Sequence, residues 1–264
     1  MAGPKALASA LKQGADYVTD SRGKVPLCTA FRFYAGVGYH VMTARLRVLR
    51  GLPDAAVMEP GYRIACCAEK AGSELDISGL RHLQGLEQPA VIIANHMSTF
   101  ETLILPVIAG GRRPLSFVLK ESLPKYPIFG PVVLAGRPIV VGRTNPREDL
   151  RVVLHEGMAR LEAGRNVVVF PQGHRRPGFE AENFNSMGIK LAKRAGVLVV
   201  PLALMTDFWS EGRRVKDVGP IYPDRPVRFA FGKPLEVVGN GKEQHAQCVD
   251  FIAETLKGWG IETR

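Results

Sequence analysis

The sequence predicts an α/β fold: a mixed, mostly parallel sheet covered by helices on both faces, with an N-terminal two-helix hairpin. Three observations carry that expectation. Short apolar runs rich in β-branched residues, such as Val91-Ile92-Ile93 and Val167-Val168-Val169, read as buried strands. Stretches of helical length with their own start and stop signals lie between them. Strands alternating with helices favour a parallel or mixed sheet over a meander.

Taken in order, residues 1–24 are polar and short-sided and read as a loosely ordered basic terminus. They lack the apolar core of a secretory signal. Residues 25–72 form the hairpin, its first helix running to about Leu49 and broken by Leu52-Pro53-Asp54. A second helix, from about Asp54 to Glu69, is expected to be interrupted near Pro60-Gly61. Residues 73–264 form the α/β domain. Glu74 to Ser78 alternates like an edge strand, Pro89 to Ala94 is a buried one, and Leu115–Leu119 and Pro138–Val141 follow. Asn145-Pro146-Arg147-Glu148-Asp149 opens a helix with Asn at the N-cap, Pro at N1 and acids in the first turn. That helix stops at Gly164. Asn166–Phe170 and Val197–Leu204 are apolar strands, with a helix from Asn185-Ser186 to Gly196 between them. A late strand, Val227–Phe231, and a helix from about Glu243 to Trp259 close the chain.

At 264 residues and 46% hydrophobic, with a mean hydropathy of +0.01, the chain can bury a large core and is neither disordered nor multi-spanning. Its net charge of +10 calls for an anionic partner: nucleic acid, a lipid surface or a phosphorylated substrate. No nucleic-acid-binding module is recognisable, so nucleic-acid binding stays open on charge alone and no nucleic-acid partner is expected. Residues 1–50 hold eight Lys/Arg against Asp16 and Asp20, so their excess of +6 is more than half that of the chain. Phe31, Phe33, Tyr34, Tyr39 and Met42 lie among those charges, a mixture suited to the headgroup layer of an anionic membrane. Arg32, His40, Arg45 and Arg47 interrupt the segment too often for it to span a bilayer. Cys28, Cys66, Cys67 and Cys248 have no metal-ligand spacing, so no metal is expected.

The chemistry gathers where strands end. Asn95-His96-Met97-Ser98-Thr99-Phe100-Glu101 lies between the Pro89–Ala94 strand and a helix, where open α/β sheets bind ligands. Ser98 and Glu101 satisfy a capping box. His96, with a carboxylate five residues on, could equally be a general base with an orienting partner. Lys120, Arg143 and Gln172-Gly173-His174-Arg175-Arg176 each follow another strand. Singly each cation reads as surface charge; together on one rim they favour a phosphate-bearing substrate beside His96. There is no G-x-S-x-G elbow, Walker-type loop or G-x-G-x-x-G after a strand, so serine hydrolysis and nucleotide binding drop out.

Over about Ser73 to Leu235 the sequence resembles the glycerolipid acyltransferase family of the lysophosphatidic acid acyltransferase type. Asn95-His96-x4-Glu101 resembles its N-H-x-x-x-x-D block, and Gly136 to Arg143 its second block, which ends in a substrate-binding Arg. Phe170-Pro171-Gln172-Gly173-His174-Arg175 is similar to the F-P-E-G-T-R block, and Val200-Pro201-Leu202-Ala203 to the fourth. The resemblance implies direct acyl transfer from acyl-CoA or an acyl carrier protein to a lysophospholipid hydroxyl, most naturally 1-acyl-glycerol-3-phosphate, without a cofactor. It assigns His96 as base, Glu101 as its partner, and Arg143, Arg175, Lys120 and Gly173 to the substrate phosphate, with a backbone N–H near Gly173 for the oxyanion. Asn95, Pro171, Gln172 and Pro201 support the motifs. It also implies a peripheral or monotopic enzyme of phospholipid biosynthesis on the cytoplasmic face of a membrane. The sequence departs from the family at Glu101 (Asp), Gln172 (Glu) and His174 (Thr). Two other readings stay open: another acceptor, such as glycerol 3-phosphate or a different lysolipid, and a non-catalytic anionic-lipid-binding protein.

Overall fold

The structure, a computed structural model, describes residues 4–19, 28–213 and 216–264. The expected start of the hairpin at residue 25 lies outside them. The first described element corrects the expectation of a loosely ordered terminus. Helix α1 (Pro4–Gln13) is followed by a two-residue strand, β1 (Tyr17–Val18). Leu7 and Leu11, one turn apart, are buried in the main core. The Tyr17 and Thr19 hydroxyls donate to Glu69 at 2.6 and 2.8 Å. These contacts outweigh the polar composition that suggested disorder.

Helices α2 (Thr29–Leu49) and α3 (Pro53–Lys70) form the hairpin. Pro60 lies inside α3 instead of interrupting it. A mid-helix proline costs about 3 kcal/mol, which the burial of Ile64, Ala65 and Ala68 one turn later helps to offset. No described helix is long and apolar enough to cross a membrane.

The sheet comprises β1, β2 (Leu75–Ser78), β3 (Val91–Ala94), β4 (Leu115–Lys120), β5 (Ile139–Val141), β6 (Asn166–Val169), β7 (Val199–Met205) and β8 (Val227–Phe231). Their spatial order is β1-β2-β8-β7-β3-β6-β4-β5. Strands β3 to β7 are parallel, β8 runs against β7, and β2 runs parallel to β8. The antiparallel pairing of β1 on β2 moves the expected edge strand one place inward.

Two short helices, α4 (Arg81–Gln84) and α6 (Gly130–Ala135), lie between β2 and β3 and between β4 and β5. Strand periodicity sorts the core into two layers. Ile92 and Ala94 of β3, with Val168 and Val200, face α5 (Thr99–Ile108) and the hairpin residues Phe33, Val37, Ile64 and Ala68. Val91 and Ile93, with Val167, Val169 and Val199, face α7 (Pro146–Glu162), α8 (Met187–Ala195) and α9 (Lys242–Gly258). The hairpin is therefore part of one covering layer, not an appendage. Its fit needs close backbone approach: a Cβ on Gly61 of α3 would lie 2.8 Å from the Leu103 carbonyl of α5.

Because β3 to β7 are parallel, their C-terminal ends share one edge. The turn after β3, Lys120 ending β4, and the turns after β5, β6 and β7 all open there.

Gly61→Ala sets two effects against each other. Alanine gains up to about 1 kcal/mol of helix propensity, while overpacking against a fixed carbonyl costs about 1–3 kcal/mol. The clash is expected to win and lower Tm by several degrees, at roughly 2–4 °C per kcal/mol. A rise in Tm on thermal unfolding would show that α3 and α5 separate freely here.

Candidate active site

The turn between β3 and α5 is built around one carboxylate. Ser98 is the N-cap of α5: its hydroxyl accepts from Phe100 N at 3.1 Å, and Glu101 completes the capping box. Glu101 is fully buried. Its Oε1 accepts from His96 Nδ1 at 2.7 Å, Met97 N at 2.7 Å and Ser98 N at 2.9 Å. Its Oε2 accepts from the Ser98 hydroxyl at 2.7 Å and the Thr206 hydroxyl at 2.5 Å. The capping and orienting readings of Glu101 are therefore one arrangement. Burial alone would raise its pKa, but His96, Thr206 and Ser98 outweigh it and hold the carboxyl below its ordinary value.

His96 is 15% exposed. Its ring stacks on Phe170 at 4.3 Å between centroids and 14° between planes, with Phe117 behind at 6.2 Å. With Nδ1 held by Glu101, Nε2 is the ring nitrogen left for chemistry. The backbone around it is also fixed: His96 N donates to Gln172 Oε1 at 3.2 Å, and Arg176 N donates to His96 O at 2.9 Å. Asn95 exchanges two hydrogen bonds with the Leu204 backbone, at 2.8 and 2.7 Å, lengthening the β3–β7 pairing. It is scaffold. Pro201 is too, lying within β7 opposite Ile93, and so is Pro171, whose carbonyl accepts from Asn185.

The cations stand on the same edge. Arg143 occupies the left-handed region, φ 59°, where a non-glycine residue is strained by about 1–3 kcal/mol. Asp149, in the first turn of α7, holds that shape by accepting from Gly142 N and Arg143 N at 3.1 and 3.2 Å. The Arg143 guanidinium reaches across to the Gly173 carbonyl. Arg175 Nη1 donates to the Thr99 hydroxyl and, at 2.7 Å, to Asp217, while its Nε lies 2.9 Å from Glu211. Among the described residues Lys120 makes no hydrogen bond or ion pair with the turn, but its charge is felt there. Local desolvation, then Arg143, Arg176, Lys216 and Lys120, hold the His174 imidazole below its ordinary pKa.

Gly173 N donates to Phe170 O at 3.0 Å and its carbonyl accepts from Arg143, so its own N–H already has a backbone partner. Gln172, where the family has Glu, supports the His96 backbone, and its buried Nε2 has no partner among the described residues. The charge balancing Arg175 comes instead from Glu211 and Asp217. Sequence reasoning missed those two acids, together with Thr206, Thr99 and the stacking role of Phe170. Only Thr206 left a local sign, as the first polar residue after the apolar β7.

Comparison with known proteins places the chain in a family. The acyltransferase family model matches residues 74–205. A 1-acyl-sn-glycerol-3-phosphate acyltransferase of Pseudomonas aeruginosa is 30% identical over 194 residues, 73% of this chain and 70% of the relative. A lyso-ornithine lipid O-acyltransferase of the same organism is 28% identical over 131 residues, 50% of this chain and 47% of the relative. The crystal structure of the lysophosphatidic acid acyltransferase PlsC from Thermotoga maritima shares the fold, with a TM-score of 0.65 at 16% identity over 89% of this chain and 96% of that one. The chain belongs to the acyltransferase family and is an O-acyltransferase of the 1-acyl-sn-glycerol-3-phosphate type.

Proposed function

We propose that the chain moves a fatty acyl group from acyl-CoA or acyl carrier protein to the free hydroxyl of 1-acyl-glycerol-3-phosphate, with His96 as general base. The observation that carries this reading is the 2.7 Å contact between His96 Nδ1 and a fully buried Glu101, on an edge that also bears Arg143 and Arg175. The ionised carboxylate fixes the tautomer and stabilises the imidazolium that forms. His96 Nε2 takes the hydroxyl proton as that oxygen attacks the thioester carbonyl. The C–O bond forms, the C–S bond breaks, and the imidazolium returns the proton to the departing thiolate. No side-chain nucleophile or cofactor enters. Arg143 and Arg175, with Lys120 at longer range, hold the acceptor phosphate. The reaction takes place on the cytoplasmic face of a membrane, with the hairpin seated in the headgroup layer.

Arg175 suggests a step of its own. Asp217 and Glu211 already occupy the guanidinium as a phosphate would, so the acceptor displaces a carboxylate on entry. The same two acids favour a second reading, in which they meet an amine-bearing lysolipid headgroup directly.

His96→Ala is expected to lose about 10²–10⁴ in kcat, the usual worth of a general base, with its melting profile preserved. Thiol release from acyl-CoA measures this, and near wild-type turnover would remove the base assignment. Glu101→Gln keeps much of the cap's shape but not its charge. A large fall in kcat with a modest stability loss is expected, whereas a role in capping alone would leave turnover almost untouched.

Asp217→Asn separates the two acceptors. With 1-acyl-glycerol-3-phosphate, KM should fall several-fold as Arg175 is released; with an amine-bearing lysolipid it should rise. A rise for the phosphate acceptor would instead make Asp217 a positioning residue for Arg175.

A further inference from the structure

Outside the catalytic edge, the two helices of the hairpin enclose a cavity of about 400 Å³, within the range of small-ligand clefts. Tyr39, His40 and Arg47 of α2 and Glu59, Arg63 and Lys70 of α3 line it. Three permanent cations thus face one carboxylate. Glu59 accepts from Arg47 and lies 3.7 Å from Arg63, so it is shared between the two arginines. The resulting field registers on His40: burial, then Arg63, Lys70 and Arg47, hold its imidazole below the ordinary value against the opposing pull of Glu59.

The other side of α2 is of a different kind. Phe31, Met42, Leu46 and Leu49 recur at helical spacing and are 75%, 39%, 43% and 62% exposed. Thr29, Phe33, Val37 and Ala44 are the helix's buried residues. Tyr39, 65% exposed, also lines the cavity and so marks the seam between cleft and apolar stripe. An aromatic ring with a polar tip suits the boundary between headgroups and acyl chains.

We propose that this cleft binds the phosphate of an anionic membrane phospholipid that is not a substrate, with the lipid's chains lying along the Phe31–Leu49 stripe. Arginine forks and a lysine point charge match phosphate oxygens. A free phosphate compound would use the cleft but leave the stripe bare, and the stripe favours the lipid. None of these residues belongs to the edge that carries His96, so the proposal stands apart from the catalytic reading.

The test uses the full chain and vesicles of phosphatidylcholine, with and without phosphatidylglycerol. Arg63→Gln combined with Lys70→Gln should lower partition onto the anionic vesicles by roughly tenfold or more. Binding to neutral vesicles and turnover of detergent-dispersed acceptor should be preserved. Lys190→Gln with Lys193→Gln, on the exposed side of α8, removes the same charge elsewhere and should have a much smaller effect. Equal losses from the two double variants would mean general charge attraction and overturn the site, as would no loss from the first. Saturable binding of inorganic phosphate at the cleft that leaves partition of the wild-type chain onto anionic vesicles unchanged would overturn the lipid assignment in favour of a free-phosphate site. Loss of activity in His96→Ala bears only on the catalytic reading and leaves vesicle binding as the separate measure of this one.

Discussion

A carboxylate with no access to water must be compensated from within, and the architecture around Glu101 supplies that compensation. Five donor groups from two parts of the chain converge on it: His96, the backbone of Met97 and Ser98 and the Ser98 hydroxyl from the turn before α5, and Thr206 from the end of β7. An unpaired buried charge would cost several kcal/mol, whereas hydrogen bonds to a charged group contribute about 1.5–3 kcal/mol each. One side chain thereby starts α5, orients the imidazole and ties β3 to β7. Local helix capping and long-range sheet order are the same interaction here.

That interaction constrains the surroundings. Strand β3 is paired on both sides, and its flanking backbone is pinned by Asn95 to Leu204, by His96 to Gln172 and by Arg176 to His96. The imidazole is then clamped between Glu101 and the face of Phe170. Pre-organisation of this kind reduces the reorganisation required when charge develops on a reacting group. The cations are less rigidly committed: Arg175 is held by carboxylates that an anion could replace, and Arg143 sits in a strained turn stabilised by Asp149.

The central strands, the cap at Asn145 and the edge on which the polar clusters meet were legible in the sequence, because each rests on short-range signals. Apolar runs, cap residues and the parallel alternation of strands and helices act over a few residues or follow from simple topology. The contact of His96 with Glu101 could be read as well, since only five positions separate them. Thr206 was missed, because it meets Glu101 from 105 residues away and its one local sign, a polar residue after an apolar strand, names no partner. Glu211 and Asp217 were hidden in a segment without periodicity. Helix α1 was missed because two leucines among lysines and small residues are too weak a stripe to outweigh composition. The Gly173 N–H bond to Phe170 was not legible either, because a motif gives a residue's place in the chain but not where its N–H points. The acyltransferase family was recovered from the order of four short blocks, none of which would have sufficed alone.

The glycine contact between α3 and α5 has a mechanical corollary. With no side chain between Gly61 and the Leu103 carbonyl, the hairpin and the helix that begins at the histidine turn lack a compressible layer between them. Contact at this point is backbone to backbone, which couples the orientation of the two helices. In the proposed seating, the plane on which the hairpin rests would therefore also set the angle at which the imidazole faces it, and a reactant confined to that plane would be met at a height determined by two backbones in touch.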